Sequence, residues 1–191
     1  MIPERPAATV VWQRLDLPGH DAAELKSAAS GWRLEGIAIL AHEGQPCRLS
    51  YAIRCAPSWQ TQEVSVTGFI GAEPVAKRIT RERNGIWLLD GAVVSDVGGC
   101  EDVDLAFTPA TNMLPIRRLD LGVGQSAHVK AAWLRFPGLN LELLEQSYTR
   151  IDISTYRYES RGGAFRRDLS VDDNGFVTEY PGLWKATATA T

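Results

Sequence analysis

Two adjacent arginines, Arg117 and Arg118, stand out for the chemistry they could perform. They lie in the segment FTPATNMLPIRRL, residues 107–119, which holds two prolines and an Asn but no acidic residue. Guanidinium groups bind carboxylates, phosphates and hydroxyls through several fixed N–H donors. With Asn112 nearby, the pair is one hypothesis for an anchor of an anion or of sugar hydroxyls beside an apolar cavity.

The alternative role for these arginines is structural. Residues 113–119 can form one or two helical turns, with Thr111 or Asn112 as the N-cap and Gly122 as the stop. Adjacent residues on a helix point about 100° apart. One arginine would then pair inside the protein while the other faces solvent. The candidate carboxylate partners of the buried arginine are Asp102, Asp104 and Asp120.

Catalytic constellations are sparse. Ser126 and His128 alternate on one predicted strand face, but a strand alone supplies neither the third member of a triad nor an oxyanion hole. His20 and Asp21 are expected in a loop, where a turn or capping role competes with proton transfer. We therefore assign no catalytic residue. An enzyme acting on a small acidic or sugar substrate stays the alternative to a binding protein.

The cysteines and histidines predict neither a disulfide nor a metal site. Cys47 and Cys55 fall on one face of a predicted strand, about 26 Å apart, whereas a disulfide allows at most about 7 Å between Cα atoms. An odd count of three cysteines suits a reducing compartment. The three histidines are scattered, and neither CxxC nor HExxH occurs. We expect no metal and no cofactor.

Length and charge exclude several classes of protein. The 191 residues, 45% of them hydrophobic, predict a single domain over 1–191. The 20 basic and 23 acidic residues form no block of one sign, which argues against a nucleic-acid partner. No stretch approaches the roughly 18 apolar residues of a membrane span, and MIPERPAATVVWQRL lacks a signal-peptide pattern. We expect a cytoplasmic protein.

Alternation of apolar and polar residues predicts an all-β protein. The clearest strand is 46–55, and turn signals such as Asn84-Gly85 recur every 8 to 12 residues. Helix is predicted at the 113–119 segment, with a second candidate at 21–27. The tail at about 186–191 is expected to be frayed.

The six tryptophans are interpreted first as core anchors. If the protein has a ligand cavity, Trp12, Trp32 and Trp133 are its expected walls. Trp59 and Trp184, near predicted turns, are the candidates for stacking against a sugar ring.

Six distinctive segments are spread over nearly the whole chain: VVWQRLDLPGHDAAEL, GWRLEG, YAIRCAPSW, GCEDVDLAFTPATNMLPIRRLDL, YTRIDISTYRYES and YPGLW. Together they resemble a bacterial glycolipid-binding family that was once a domain of unknown function. Met113 departs from the family pattern, where we expect a smaller or polar residue such as Thr.

The resemblance implies a spiral β-roll, a long and mainly antiparallel sheet that wraps around one short central helix, often as a homodimer. It also implies kinship with periplasmic carriers that hold acyl chains in a half-barrel. No site residue follows from the resemblance. Together with the residues above, it predicts non-enzymatic binding of a glycolipid or fatty-acyl compound. In that prediction the apolar part lies on the sheet and the polar head lies near Arg117 or Arg118. A structural dimer without ligand is a further alternative.

Overall fold

All fifteen strands of the computed structural model, which describes residues 7–191, belong to one sheet. The first eight are β1 (Ala8–Arg14), β2 (Gly19–Ala28), β3 (Gly31–His42), β4 (Gln45–Cys55), β5 (Thr61–Ile70), β6 (Glu73–Arg81), β7 (Trp87–Leu89) and β8 (Ala92–Val93). The other seven are β9 (Asp102–Leu105), β10 (Ser126–Leu134), β11 (Leu141–Arg150), β12 (Thr155–Ser160), β13 (Phe165–Val171), β14 (Val177–Tyr180) and β15 (Trp184–Ala190).

The sheet consists of two meanders that meet in its middle. Its order is β8-β7-β6-β5-β4-β3-β2-β1-β15-β14-β13-β12-β11-β10-β9, so the first strand pairs with the last. The neighbours are antiparallel except for β9 and β10, which run parallel. The sheet is long and is not closed into a barrel. The predicted fold class, mainly antiparallel β with one short helix, is confirmed.

Alternation along each strand separates an inner face from an outer face. In β4 the residues Cys47, Leu49, Tyr51, Ile53 and Cys55 are buried, and those between them are more exposed. Because successive side chains on a strand point to opposite faces, the odd-numbered set belongs to the core, as the sequence predicted.

The helix α1 (Met113–Leu119) follows a short 3₁₀ turn and buries Met113, Leu114 and Ile116 against the inner face. Asn112 occupies the N-cap position, as one of the two predictions had it, but neither its side chain nor that of Thr111 caps the helix, because both are engaged elsewhere. The Thr111 hydroxyl accepts the backbone N–H of Leu105 at 3.3 Å, and the Asn112 amide oxygen accepts the Tyr148 hydroxyl at 3.0 Å.

The helix ends at Asp120, two residues before the predicted stop at Gly122. Asp120 adopts a left-handed conformation with φ of 44° and donates its N–H to the carbonyl of Ile116. Asp is one of the few residues other than glycine that enter this region readily.

The second helix candidate, 21–27, is part of strand β2. Asp21, Ala23 and Leu25 alternate inward in it, so the segment has the period of a strand and not of a helix. At the other end of the chain, where a frayed tail was expected over 186–191, Ala188 and Ala190 pair with Val11 and Thr9 of β1.

One end of the sheet rolls back towards the other meander. The carbonyl of Glu101, just before β9, accepts the N–H of Thr61 at 3.0 Å, and the Thr61 hydroxyl accepts the N–H of Val103 at 3.1 Å. These bonds attach the β9 edge to the start of β5. No helix within residues 7–191 is long and apolar enough to cross a membrane.

Candidate functional site

Arg118 is bound by two carboxylates and is a structural residue. Its Nε lies 3.0 Å from Oδ1 of Asp102 and its Nη2 lies 2.6 Å from Oδ2, while Nη1 lies 2.7 Å from Glu101. Asp102 is 1% exposed. This bidentate ion pair connects α1 to β9. Asp102 is one of the three carboxylates that the sequence analysis proposed as partners of the buried arginine.

Arg117 is exposed and lies across an aromatic ring. Its guanidinium carbon is 5.1 Å from the ring centre of Trp59, and Trp32 is stacked on the same ring with centres 4.6 Å apart. The cavity beside it is also lined by Asp120, Asp172 and Asp173, which oppose an anion. The structure therefore does not bring Arg117 and Arg118 together on one ligand.

The remaining predicted site residues are dispersed. Trp12 is fully buried and donates its indole N–H to the carbonyl of Val177 at 2.5 Å, so it is a core anchor. Trp32 belongs to the stack with Trp59. Asn112 and Trp133 line one cavity together with Trp184, and Arg117 lines another with Trp59.

A buried carboxylate cluster holds the segment before α1 against the first meander. Asp21, 1% exposed, accepts the Tyr51 hydroxyl at 3.0 Å and is also hydrogen-bonded by the Thr108 hydroxyl. Burial raises the pKa of Asp21 to about 6, although both hydroxyls favour its charged form. Sequence reasoning placed Asp21 in a loop or helix cap and missed this cluster. The sequence signal that could have revealed it is that Asp21 takes an inward position in a segment where Ala23 and Leu25 also alternate inward.

The first concave site lies on the inner face and is called the inner cleft. It has a volume of about 230 Å³. The segment before α1, the second meander and the start of β15 line it, chiefly through Asp104, Pro109, Asn112, Trp133, Leu144, Tyr158, Arg161, Phe165, Tyr180 and Trp184. Three of the segments that carry the family resemblance thus meet at one cavity.

The carboxylate of Asp104 is the charged centre of the inner cleft. The Gln146 side-chain amide donates to it at 2.6 Å and also contacts the Tyr158 hydroxyl at 3.1 Å. Burial raises the pKa of Asp104 to about 6, and the Gln146 hydrogen bond opposes that shift. Arg161 adds a positive charge to the lining.

The second concave site crosses the outer face and is called the outer groove. Its volume is about 670 Å³. Its floor is two rows of side chains that are neighbours across six paired strands. The first row is Ala188, Val11, Ala22, Ile37, Ser50 and Thr67, and the second row is Ala190, Thr9, Glu24, Glu35, Ala52 and Ser65.

Side-chain size explains why this part of the outer face is concave. The floor consists mainly of Ala, Ser and Thr. The row beyond it on one side is Lys26, Arg33, Arg54 and Glu63, and the row on the other side is His20, Ile39, Arg48 and Phe69. Long side chains therefore border a strip of short ones, and the groove runs across the strands between them.

Two carboxylates give the outer groove a polar side. The Lys26 ammonium lies 2.6 Å from Glu24 and 3.2 Å from Glu35, and Arg33 lies 2.5 Å from Glu35. The two negative charges are therefore largely balanced. The sequence did not reveal this groove, because it depends on the register of six strands, two of which are the first and last of the chain.

Within residues 7–191 no group of three or more His, Cys, Asp or Glu side chains is arranged to hold a metal ion.

The comparisons with known proteins agree with the resemblance and with the fold. The crystal structure of a DUF1089 family protein from Pseudomonas aeruginosa matches with a TM-score of 0.77 and 29% identity, over 97% of this chain and 95% of that one. No curated protein matches. A family model described as "Putative glycolipid-binding" matches residues 9–186. Since the match spans nearly the whole sheet, this chain belongs to that family.

Proposed function

We propose that this protein binds, without transforming it, an amphipathic ligand such as a glycolipid or a fatty-acyl compound in the outer groove. The observation that carries the proposal is the strip of short side chains across six strands. Solvent-facing positions of an antiparallel sheet are usually polar. Here the first row instead carries Val11 between Ala188 and Ala22, followed by Ile37 between Ala22 and Ser50.

The two rows differ in chemistry in the way that the two parts of an amphiphile differ. The first row offers an apolar track on which an acyl chain could lie and shed water. The second row carries Glu24 and Glu35 beside the hydroxyls of Thr9 and Ser65. The volume of about 670 Å³ is within the range of about 300–1,000 Å³ that small-molecule sites occupy.

The charges of the groove favour an uncharged, hydroxyl-bearing head. Carboxylates only accept hydrogen bonds when ionised, and sugar hydroxyls can donate to them. A phosphate head would find no unpaired cation there, because Lys26 and Arg33 are already paired with Glu24 and Glu35. We therefore expect the head group on the outer face. The alternative expectation, a head group near Arg117 or Arg118, stays a prediction.

The experiment uses dodecyl maltoside, a glycolipid-like probe, below the concentration at which it forms micelles. Ile37→Lys puts a charge on the groove floor at an outward-facing position, so the fold is retained. Calorimetric titration should show binding by the parent and at least about tenfold weaker binding by Ile37→Lys.

Leu143→Lys is the matched control, because Leu143 is an exposed apolar strand residue, 40% exposed, in the other meander. Its affinity should equal that of the parent. Absence of binding by the parent, or equal binding by the parent and the Ile37→Lys variant, would refute the proposal.

A homodimer and a cytoplasmic location are further parts of the proposal. Exposed apolar side chains at Val123 and Ile153, which are 62% and 81% exposed, support self-association. Light scattering at micromolar concentration should give twice the chain mass, and a monomer would contradict this. Three free cysteines, all buried, support a reducing compartment.

A further inference from the structure

The half-buried carboxylate of Asp104 differs from the buried carboxylates Asp21 and Asp102 in what surrounds it. Asp102 is bound by the guanidinium of Arg118, and Asp21 is bound by two hydroxyls. Asp104 has a single neutral amide, that of Gln146, and no cation in residues 7–191 stabilises its charge appreciably. An ionised carboxylate that is mostly removed from water gains strongly from additional hydrogen-bond donors.

Aromatic rings form one wall of the cavity that Asp104 lines. The rings of Tyr158, Phe165 and Tyr180 contact one another, with centres 6.0 to 6.3 Å apart. Trp133, half-buried, adds a fourth ring from β10. Aromatic faces and edges pack well against the apolar C–H surface of a small ring.

We propose that the inner cleft is a second binding site, which takes a small uncharged ligand with several hydroxyl groups, such as a single sugar ring. The hydroxyls donate to Asp104 and accept from Arg161, while the C–H face of the ring packs on the aromatic wall. The site lies on the opposite face of the sheet from the outer groove, so it does not depend on the function proposed there.

The inner cleft does not present charge of one sign. Its lining carries the negative Asp104 and the positive Arg161. An anion and a cation would each meet one attractive and one repulsive group, whereas a hydroxyl can donate to the first and accept from the second. The volume of about 230 Å³ is below that of pockets for drug-sized ligands, about 300–1,000 Å³, and therefore limits the ligand to about one ring.

The test uses the methyl β-glycosides of glucose and galactose and methyl α-mannoside, with tetramethylammonium and acetate as charged probes. Binding is followed by NMR titration of the nitrogen-labelled protein into the tens of millimolar. At least one glycoside should saturate and shift the indole N–H signal of Trp133, assigned with a Trp133→Phe variant.

Asp104→Asn keeps a carbonyl oxygen that can accept from Gln146 and removes only the charge, so it should fold and bind the glycoside about tenfold more weakly. Asp168→Asn is the control, because Asp168 is an exposed strand carboxylate paired with Arg157, and it should bind as the parent does. Arg161→Gln, at an exposed position, provides a second variant that should also weaken binding.

The groove variant Ile37→Lys distinguishes the two proposed sites, because it should bind the glycoside with the affinity of the parent. The inference is overturned if no glycoside saturates, if only a charged probe does, or if Asp104→Asn and Arg161→Gln both leave the affinity unchanged. Loss of glycoside binding in Ile37→Lys would also overturn it. Failure of dodecyl maltoside to bind would refute only the function proposed for the outer groove.

Discussion

At the scale of single residues, Arg117 and Arg118 have the same side chain and opposite environments. Arg118 binds a carboxylate that is almost inaccessible to solvent, whereas Arg117 lies on the ring of Trp59 at the surface. Their adjacency in a helix predicts this division, because neighbouring side chains point in different directions. Which arginine is buried follows only from the position of Asp102, which depends on the packing of β9 under α1.

Replacing Arg118 should therefore destabilise the folded protein far more than replacing Arg117. Arg118→Ala leaves Asp102 buried without its cation and should lower the free energy of unfolding by about 3–5 kcal/mol. Arg117→Ala loses a contact with Trp59 that is worth about 0.5–1 kcal/mol. Urea denaturation of both variants measures the difference. Equal losses of unfolding free energy would show that the Arg118–Asp102 ion pair does not stabilise the fold.

Asp21 should make the stability of the protein depend on pH. Its pKa is about 6 in the folded protein against an ordinary value of 3.8, so the folded state holds the proton more tightly. Between these values stability falls as pH rises, by up to about 3 kcal/mol for this group. Below pH 3.8 and above pH 6 its contribution is constant.

Asp21→Asn isolates that effect from the other carboxylates. The variant lacks the titration, so its stability relative to the parent should rise by up to about 3 kcal/mol between pH 4 and pH 7. Denaturation curves at four pH values in this range provide the measurement. A constant difference between the two proteins would mean that Asp21 does not titrate in that window.

At the scale of elements, the 3₁₀ turn that leads into α1 depends on a residue that lies outside it. The Thr108 hydroxyl accepts the backbone N–H of Ala110, the first residue of that turn, at 3.0 Å and also bonds Asp21. The sequence predicted the location of the helix, because two prolines and the apolar spacing confine it. It did not predict that α1 has no side-chain cap, since Thr111 and Asn112 both have suitable side chains and only the tertiary contacts engage them elsewhere.

Thr108→Val should destabilise the protein by about 2–4 kcal/mol, because it leaves the N–H of Ala110 without its acceptor and removes one of the two hydroxyls that bond the buried carboxylate of Asp21. Thr108→Ser keeps the hydroxyl and loses one methyl group, so about 1 kcal/mol is expected for it. Thermal unfolding of the pair compares them directly. Equal losses would attribute the role of Thr108 to packing and not to its hydroxyl.

At the scale of the whole molecule, local patterns predict the strands well and their order only partly. Hairpins such as β3–β4 follow from a turn signal between two alternating segments. The pairing of β1 with β15 joins residues at opposite ends of the chain, and no local signal specifies it. The outer groove depends on that pairing, which is why Val11 and Ala188 were not recognised as parts of one site.

Because β1 pairs with β15, the two ends of the sheet-forming chain are neighbours. The same strand pairs could therefore form if the chain began at a different point. Thr9 is the partner of Ala190, so a short flexible linker can join residue 191 to residue 7. New ends can then be opened at the exposed turn of Glu43 and Gly44. Such a circular permutant keeps every strand pair, and its far-ultraviolet circular dichroism should match that of the parent. The two meanders would then be connected through the linker, and the old ends would become an internal hairpin.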